Sequence, residues 1–114
     1  MKKYIVLYTA PLTSAERFAQ ATPEQAQQGM QQWFDWKEKL GSSLVDMGQQ
    51  LGNAMQITKS GVTKSDSNIV GISTLQANSM DEALELVKSH HHLHWAEGAG
   101  ITILEEMPIP EMQG

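Results

Sequence analysis

Asn68-Ile69-Val70-Gly71-Ile72-Ser73-Thr74-Leu75-Gln76-Ala77 runs directly into Asn78-Ser79-Met80-Asp81-Glu82-Ala83-Leu84-Glu85-Leu86-Val87, and the hydrophobic period changes between the two. The first part alternates, with Ile69, Gly71, Ser73 and Leu75 on one face and Val70, Ile72 and Thr74 on the other, which predicts the longest strand. The second opens on Ser79-x-x-Glu82, a capping box, and Asp81 suits the positive end of a helix dipole. Met80, Ala83, Leu84 and Val87 then follow the i, i+3, i+4, i+7 spacing of a buried helix face. The spacing predicts a helix through Lys88 that frays among the histidines. Gly98-Ala99-Gly100 turns the chain and 101–107 returns as a strand. Strand, helix and strand at this spacing make one βαβ unit.

Upstream the pattern repeats. Residues 3–9 predict a strand, with Tyr4, Val6 and Tyr8 on one face and Ile5 and Leu7 on the other, ended by Pro11. Residues 12–21 are a connection with a short helical turn near 15–19. Thr22-Pro23-Glu24-Gln25 then combines an N-cap, a first-turn proline and a capping-box glutamine. The helix is expected to reach Leu40 and stop at Gly41, with Ala26, Met30, Trp33, Phe34, Trp36 and Leu40 as its apolar stripe. Residues 43–50 read as a short strand, Leu44-Val45-Asp46-Met47, closed by Gly48. A further short strand is expected over 54–59, and a polar, turn-rich loop over 59–67.

The order predicts an α+β fold: a ferredoxin-like βαββαβ sandwich with an extra short strand and both helices on one face. The chain reads as one domain over 1–114, with 108–114 an extended tail that Pro108 and Pro110 keep out of ladder pairing. The strands also carry apolar residues on the face away from the helices. A monomer would expose them, so a homodimer packed through the open sheet faces is expected. Cover by the tail or the 59–67 loop is the alternative.

Composition narrows the partners. The 114 residues include 40% hydrophobic side chains and a net charge of -5, as in a folded globular protein. The lysines are scattered, so nucleic acid is not an expected partner. The absence of cysteine removes disulfides, thiolate nucleophiles and cysteine-based zinc sites. The first apolar run is too short for a signal peptide, and no run approaches the roughly 20 apolar residues of a spanning helix. A cytoplasmic protein without membrane contact is expected.

The chain resembles the YCII-related family of small proteins. The matching residues are Lys3-Tyr4-Ile5-Val6-Leu7-Tyr8, Thr22-Pro23-Glu24, Trp33-Phe34-Asp35-Trp36, Leu40-Gly41, Leu44-Val45-Asp46-Met47-Gly48 and Leu51-Gly52. They continue with Val70-Gly71-Ile72, the run Ala77 to Val87, His92-Leu93, Gly100-Ile101 and Glu105-Glu106-Met107-Pro108. It is their serial order, over nearly the whole chain, that carries the resemblance. The resemblance implies a ferredoxin-like fold and a dimeric α/β barrel, in a superfamily whose members include lyases, isomerases, dehydrochlorinases and monooxygenases acting on aromatic compounds. Two departures count. Lys59-Ser60-Gly61-Val62 stands where one branch carries Asp-Gly-Pro-Phe. The first helix also lacks the histidine of a His–Asp pair proposed in some members.

All four histidines fall in Ser89-His90-His91-His92-Leu93-His94-Trp95. His92 and His94, beyond the expected helix end, are candidate general bases, because an imidazole titrates near neutrality. Asp46, alone in an apolar strand, is either their carboxylate partner in a pocket or an exposed edge-strand charge. His90, His91 and His94 have i, i+3 and i, i+4 spacings that can chelate a divalent metal. Histidines near a helix C-terminus are also favoured by the dipole alone, and neither a metal nor a cofactor is expected. Trp33, Trp36, Trp95, Met47 and Tyr8 either line an apolar ligand cleft or pack the core. Two functions stay open. One is a cofactor-independent enzyme moving protons on a small apolar or aromatic molecule. The other is a non-catalytic protein that binds or senses such a molecule.

Overall fold

Tyr4, Val6 and Tyr8 are buried, while Ile5, Leu7 and Thr9 between them are half-buried. The first strand therefore has one face in the core and one only partly covered. The computed structural model describes residues 1–11, 22–65, 67–94 and 97–107. The tail at 108–114, the expected helical turn near 15–19 and Trp95 lie outside them.

The elements run β1 (Lys2–Thr9), α1 (Pro23–Leu40), a 3-10 turn (Gly41–Ser43), β2 (Leu44–Gln50), β3 (Met55–Thr58) and β4 (Gly61–Lys64). They continue with β5 (Ile69–Ala77), α2 (Met80–Val87), a second 3-10 turn (His91–His94) and β6 (Gly100–Glu105). The class is α+β. Four strands form one sheet in the order β2-β5-β1-β6, with every neighbouring pair antiparallel. β3 and β4 pair separately. Among the described residues no helix is long and apolar enough to cross a membrane.

Both helices start as their sequences dictate. Thr22 Oγ1 accepts from Gln25 N–H, and the Gln25 side chain accepts from Thr22 N–H, a reciprocal cap with Pro23 just inside. Ser79 Oγ accepts from Glu82 N–H in the same way. The core gathers Tyr4, Val6, Tyr8, Leu75 and Ala77 from the strands, Trp36 and Leu40 from α1, and Ala83 and Val87 from α2. Both helices thus cover one face of the sheet, and the Trp36 indole N–H ties them by donating to the Leu86 carbonyl at 3.4 Å.

The other face is set by register. Ile5 pairs across to Thr74 and Leu104, and Leu7 to Ile72 and Thr102. These are half-buried or exposed, so an apolar sheet face is left without a covering layer among the described residues.

Two sequence expectations need correction. β2 ends at Gln50, as the 43–50 reading has it, but Gly48 lies inside the strand rather than closing it, amid register shifts between Leu44 and Gln49. Gly48 has φ 82°, and a Cβ there would lie 1.5 Å from the Ile72 carbonyl oxygen, so only glycine lets the two backbones approach this closely. Residues 61–64, expected inside a loop, are instead strand β4. Four residues with Gly61 and Lys64 at the ends are too short to announce a strand. Pairing with Met55 to Thr58 supplies what the sequence pattern lacks.

Candidate functional site

The histidine run does not prolong α2. The helix ends after Val87, His90 N–H donates to the Val87 carbonyl, and Leu93 N–H donates to the His90 carbonyl. In a 3-10 turn side chains three apart share a side. That puts His91 and His94 together and turns His90 and Leu93 elsewhere.

His90 goes into the core. It is 1% exposed, with its ring centroid 4.4 Å from Trp36, 4.8 Å from Trp33 and 5.1 Å from Tyr8. His92 N–H donates to His90 Nδ1 at 2.9 Å. That nitrogen is therefore the acceptor and the ring proton sits on Nε2. Nε2 has no hydrogen-bond partner among the described residues, and the aromatic rings around it offer only weak π acceptors. Burial, then the neighbouring His91 and His92, push the His90 pKa down to about 3. His91 stacks on His90 at 4.2 Å and meets Trp33 edge-on at 4.8 Å. Burial, helped by His92, lowers its pKa to about 4. His92 is also buried, its Nε2 2.9 Å from the Thr9 carbonyl oxygen. Burial lowers its pKa, against the opposing pull of the Thr9 and Gly100 backbone. At neutral pH these three imidazoles are uncharged.

In front of them is a cleft of about 440 Å³. α1 supplies Gln25, Ala26, Gln28, Gly29, Met30, Gln32 and Trp33 to its wall. β2 supplies Met47, Gly48, Gln49 and Gln50, and β5 supplies Val70, Gly71 and Ile72. Tyr8, His91, His92 and His94 complete it. No Asp, Glu, Lys or Arg is among these described lining residues. The floor is held by a chain of hydrogen bonds across three strands: the Tyr8 hydroxyl donates to Ser73 Oγ at 2.9 Å, and Ser73 Oγ donates to the Met47 carbonyl at 2.7 Å. Burial raises the Tyr8 phenol well above its usual range.

The structure thus brings together His92, His94, Tyr8, Met47 and Trp33 of the expected site residues. It does not bring Asp46. That side chain is exposed on edge strand β2, and its Oδ1 accepts from Gly48 N–H at 2.8 Å. Its carboxylate caps the local bend of its own strand, and Asp46 is absent from the described residues that line the cleft. Trp36 is buried beneath the cleft rather than lining it, because α1 places it against α2. The metal alternative fails on geometry: His90 spends Nδ1 on a backbone N–H and lies in the core, apart from His94 on the rim. Among the described residues no three His, Asp or Glu side chains are placed to hold a metal ion.

Sequence reasoning missed the glutamine rim and the inward turn of His90 and His91. Gln28 and Gln32 are exposed on α1 and border the cleft as well. Two glycines carried a usable signal. Gly71, isolated in a strand, lets the Tyr8 ring cross it, where a Cβ would lie 3.1 Å from Tyr8 Cδ2. Gly29, isolated in a helix, marks the cleft wall, and a Cβ there would meet nothing within 4 Å.

No protein-family model and no curated protein matches the chain.

Proposed function

We propose that this chain is a small homodimeric protein of the YCII-like, dimeric α/β barrel type that binds a small, uncharged, planar molecule in the cleft of each subunit. The carrying observation is the lining of the cleft: Trp33, Met30, Met47 and Val70 among five glutamine amides and three imidazoles, with no Asp, Glu, Lys or Arg among the described lining residues. A charged ligand would be desolvated there without a countercharge. An aromatic ring with hydrogen-bonding substituents can instead lie against Trp33 and reach the amides. Gly29 supports the same reading. A mid-helix glycine costs about 1 kcal/mol against alanine, and no side chain of the subunit fills the room it leaves.

The strand order β2-β5-β1-β6 supports the ferredoxin-like assignment, since two interleaved split βαβ units produce it. The apolar open face supports the dimer. The binding reading stands ahead of the acid–base enzyme because the expected carboxylate, Asp46, is absent from the described residues that line the cleft. One observation keeps the enzyme as a second reading: His91 Nε2, at the cleft wall, has no hydrogen-bond partner among the described residues, so it is open to a hydrogen bond from a bound molecule.

The test is titration of neutral aromatic probes such as phenol, indole and nicotinamide, followed by tryptophan fluorescence and by amide shifts. Binding is expected to shift amides of 28–33 and 47–50, and Gly29→Leu is expected to abolish it while leaving the circular dichroism unchanged. Shifts that avoid these residues, or equal binding by Gly29→Leu, would sink the assignment.

A further inference from the structure

The β3–β4 hairpin is folded yet buries nothing. Met55 is 62%, Ile57 78% and Val62 60% exposed. The register sets Ile57 opposite Val62 and Met55 opposite Lys64, which makes one apolar face and leaves Gln56 and Thr63 on the other. A lone two-stranded hairpin is marginally stable in water, and β-branched residues paired on a solvated face gain little. Such an arm requires a surface to lie on, and its own subunit supplies none among the described residues.

Its charge says what that surface is. Residues 51–65 hold Lys59 and Lys64 and no Asp or Glu, leaving six basic and thirteen acidic residues in the rest of the chain. The arm carries two lysines and no carboxylate, and the body it springs from is acidic. Each is the complement of the other, and both are on the same chain.

We propose that the β3–β4 hairpin is a dimerisation arm, which packs its Met55, Ile57 and Val62 stripe on a second copy of this chain and sets Lys59 and Lys64 against that copy's acidic surface. The exchange is self-complementary, so a two-fold pair closes and no filament grows. The proposal rests on the homodimer argued above and adds to it a second contact outside the sheet faces. Opposite charges also make the association weaker at high salt.

Sedimentation equilibrium separates the two contacts. Wild type is compared with the arm variant Ile57→Lys/Val62→Lys and the sheet-face variant Leu104→Lys. All three substitutions fall on exposed side chains, so the subunit is expected to fold, as circular dichroism checks. If the arm and the sheet face both belong to the interface, each variant raises the dimer dissociation constant at least tenfold. Loss in Leu104→Lys alone would overturn the arm and leave the sheet-face dimer standing. Loss in the arm variant alone supports the arm and removes the sheet face. A monomeric wild type overturns both. Carbodiimide coupling of mixed 14N and 15N protein gives an independent readout: Lys59 or Lys64 is expected to link to a carboxylate of the other isotope, and links confined to one isotope would contradict the exchange.

Discussion

His90 is the residue on which the site turns. Its ring fills the space between Tyr8, Trp33 and Trp36, and its Nδ1 holds the backbone of His92. Its pKa, about 3 folded, lies below the unfolded value near 6.5. The folded chain therefore refuses a proton that the unfolded chain accepts. This contribution is complete above pH 6.5 and is lost as pH falls from 6.5 towards 3, with His91 adding in the same direction down to about 4. At pH 4.5 His90 alone accounts for roughly 2–3 kcal/mol. His90→Phe is expected to flatten the fall in stability between pH 6.5 and 4, at a loss near pH 7 of about 1 kcal/mol from the missing acceptor. Urea unfolding at a series of pH values measures it; a slope equal to wild type would mean that His90 is not the buried neutral group.

At the scale of elements, α1 carries both the support and the opening of the cleft. Trp36 and Leu40 anchor one side of it in the core, while Gln25, Gln28, Gln32 and Gly29 face the cleft. Gly29→Ala is expected to raise stability by about 1 kcal/mol, since the added methyl meets nothing. The same change narrows the cleft, so the gain comes with weaker probe binding. Thr22→Ala removes the acceptor of the Gln25 N–H, one half of the reciprocal cap, and is expected to lower stability by about 1 kcal/mol. The pair of urea midpoints, moving in opposite directions, checks the two together.

The whole molecule has more apolar surface than its described residues cover. Ile5, Leu7, Ile72 and Leu104 share the open sheet face, and Met55, Ile57 and Val62 share the arm. The proposed dimerisation through them would couple folding to association. The melting temperature is then expected to rise with protein concentration and to fall as salt weakens the arm contact. Calorimetry across a hundredfold range of concentration reads this; a constant melting temperature would exclude an equilibrium dimer over that range.

The alternation of Tyr4, Val6 and Tyr8, the caps at Thr22 and Ser79 and the stripe ending in Val87 were legible in the sequence because each depends on neighbours within a few positions. The α+β class and all but one of the strands and helices follow from them. The hairpin strand β4 was not legible, because four residues become a strand only when paired. The direction of the histidines was not legible either. Whether α2 continues or tightens into a 3-10 turn at His91 is a difference of a few backbone angles, decided by what His90 finds to pack on. Asp46 reads from the sequence as one of two things, and its exposure on β2, with Oδ1 accepting from the Gly48 N–H, is visible only in the folded chain. The sequence by itself determined which residues are apolar, where helices begin and which strands alternate, since these are local properties. Only the tertiary structure decided that no carboxylate, lysine or arginine is among the described residues lining the cleft, because that depends on which faces of three distant segments meet.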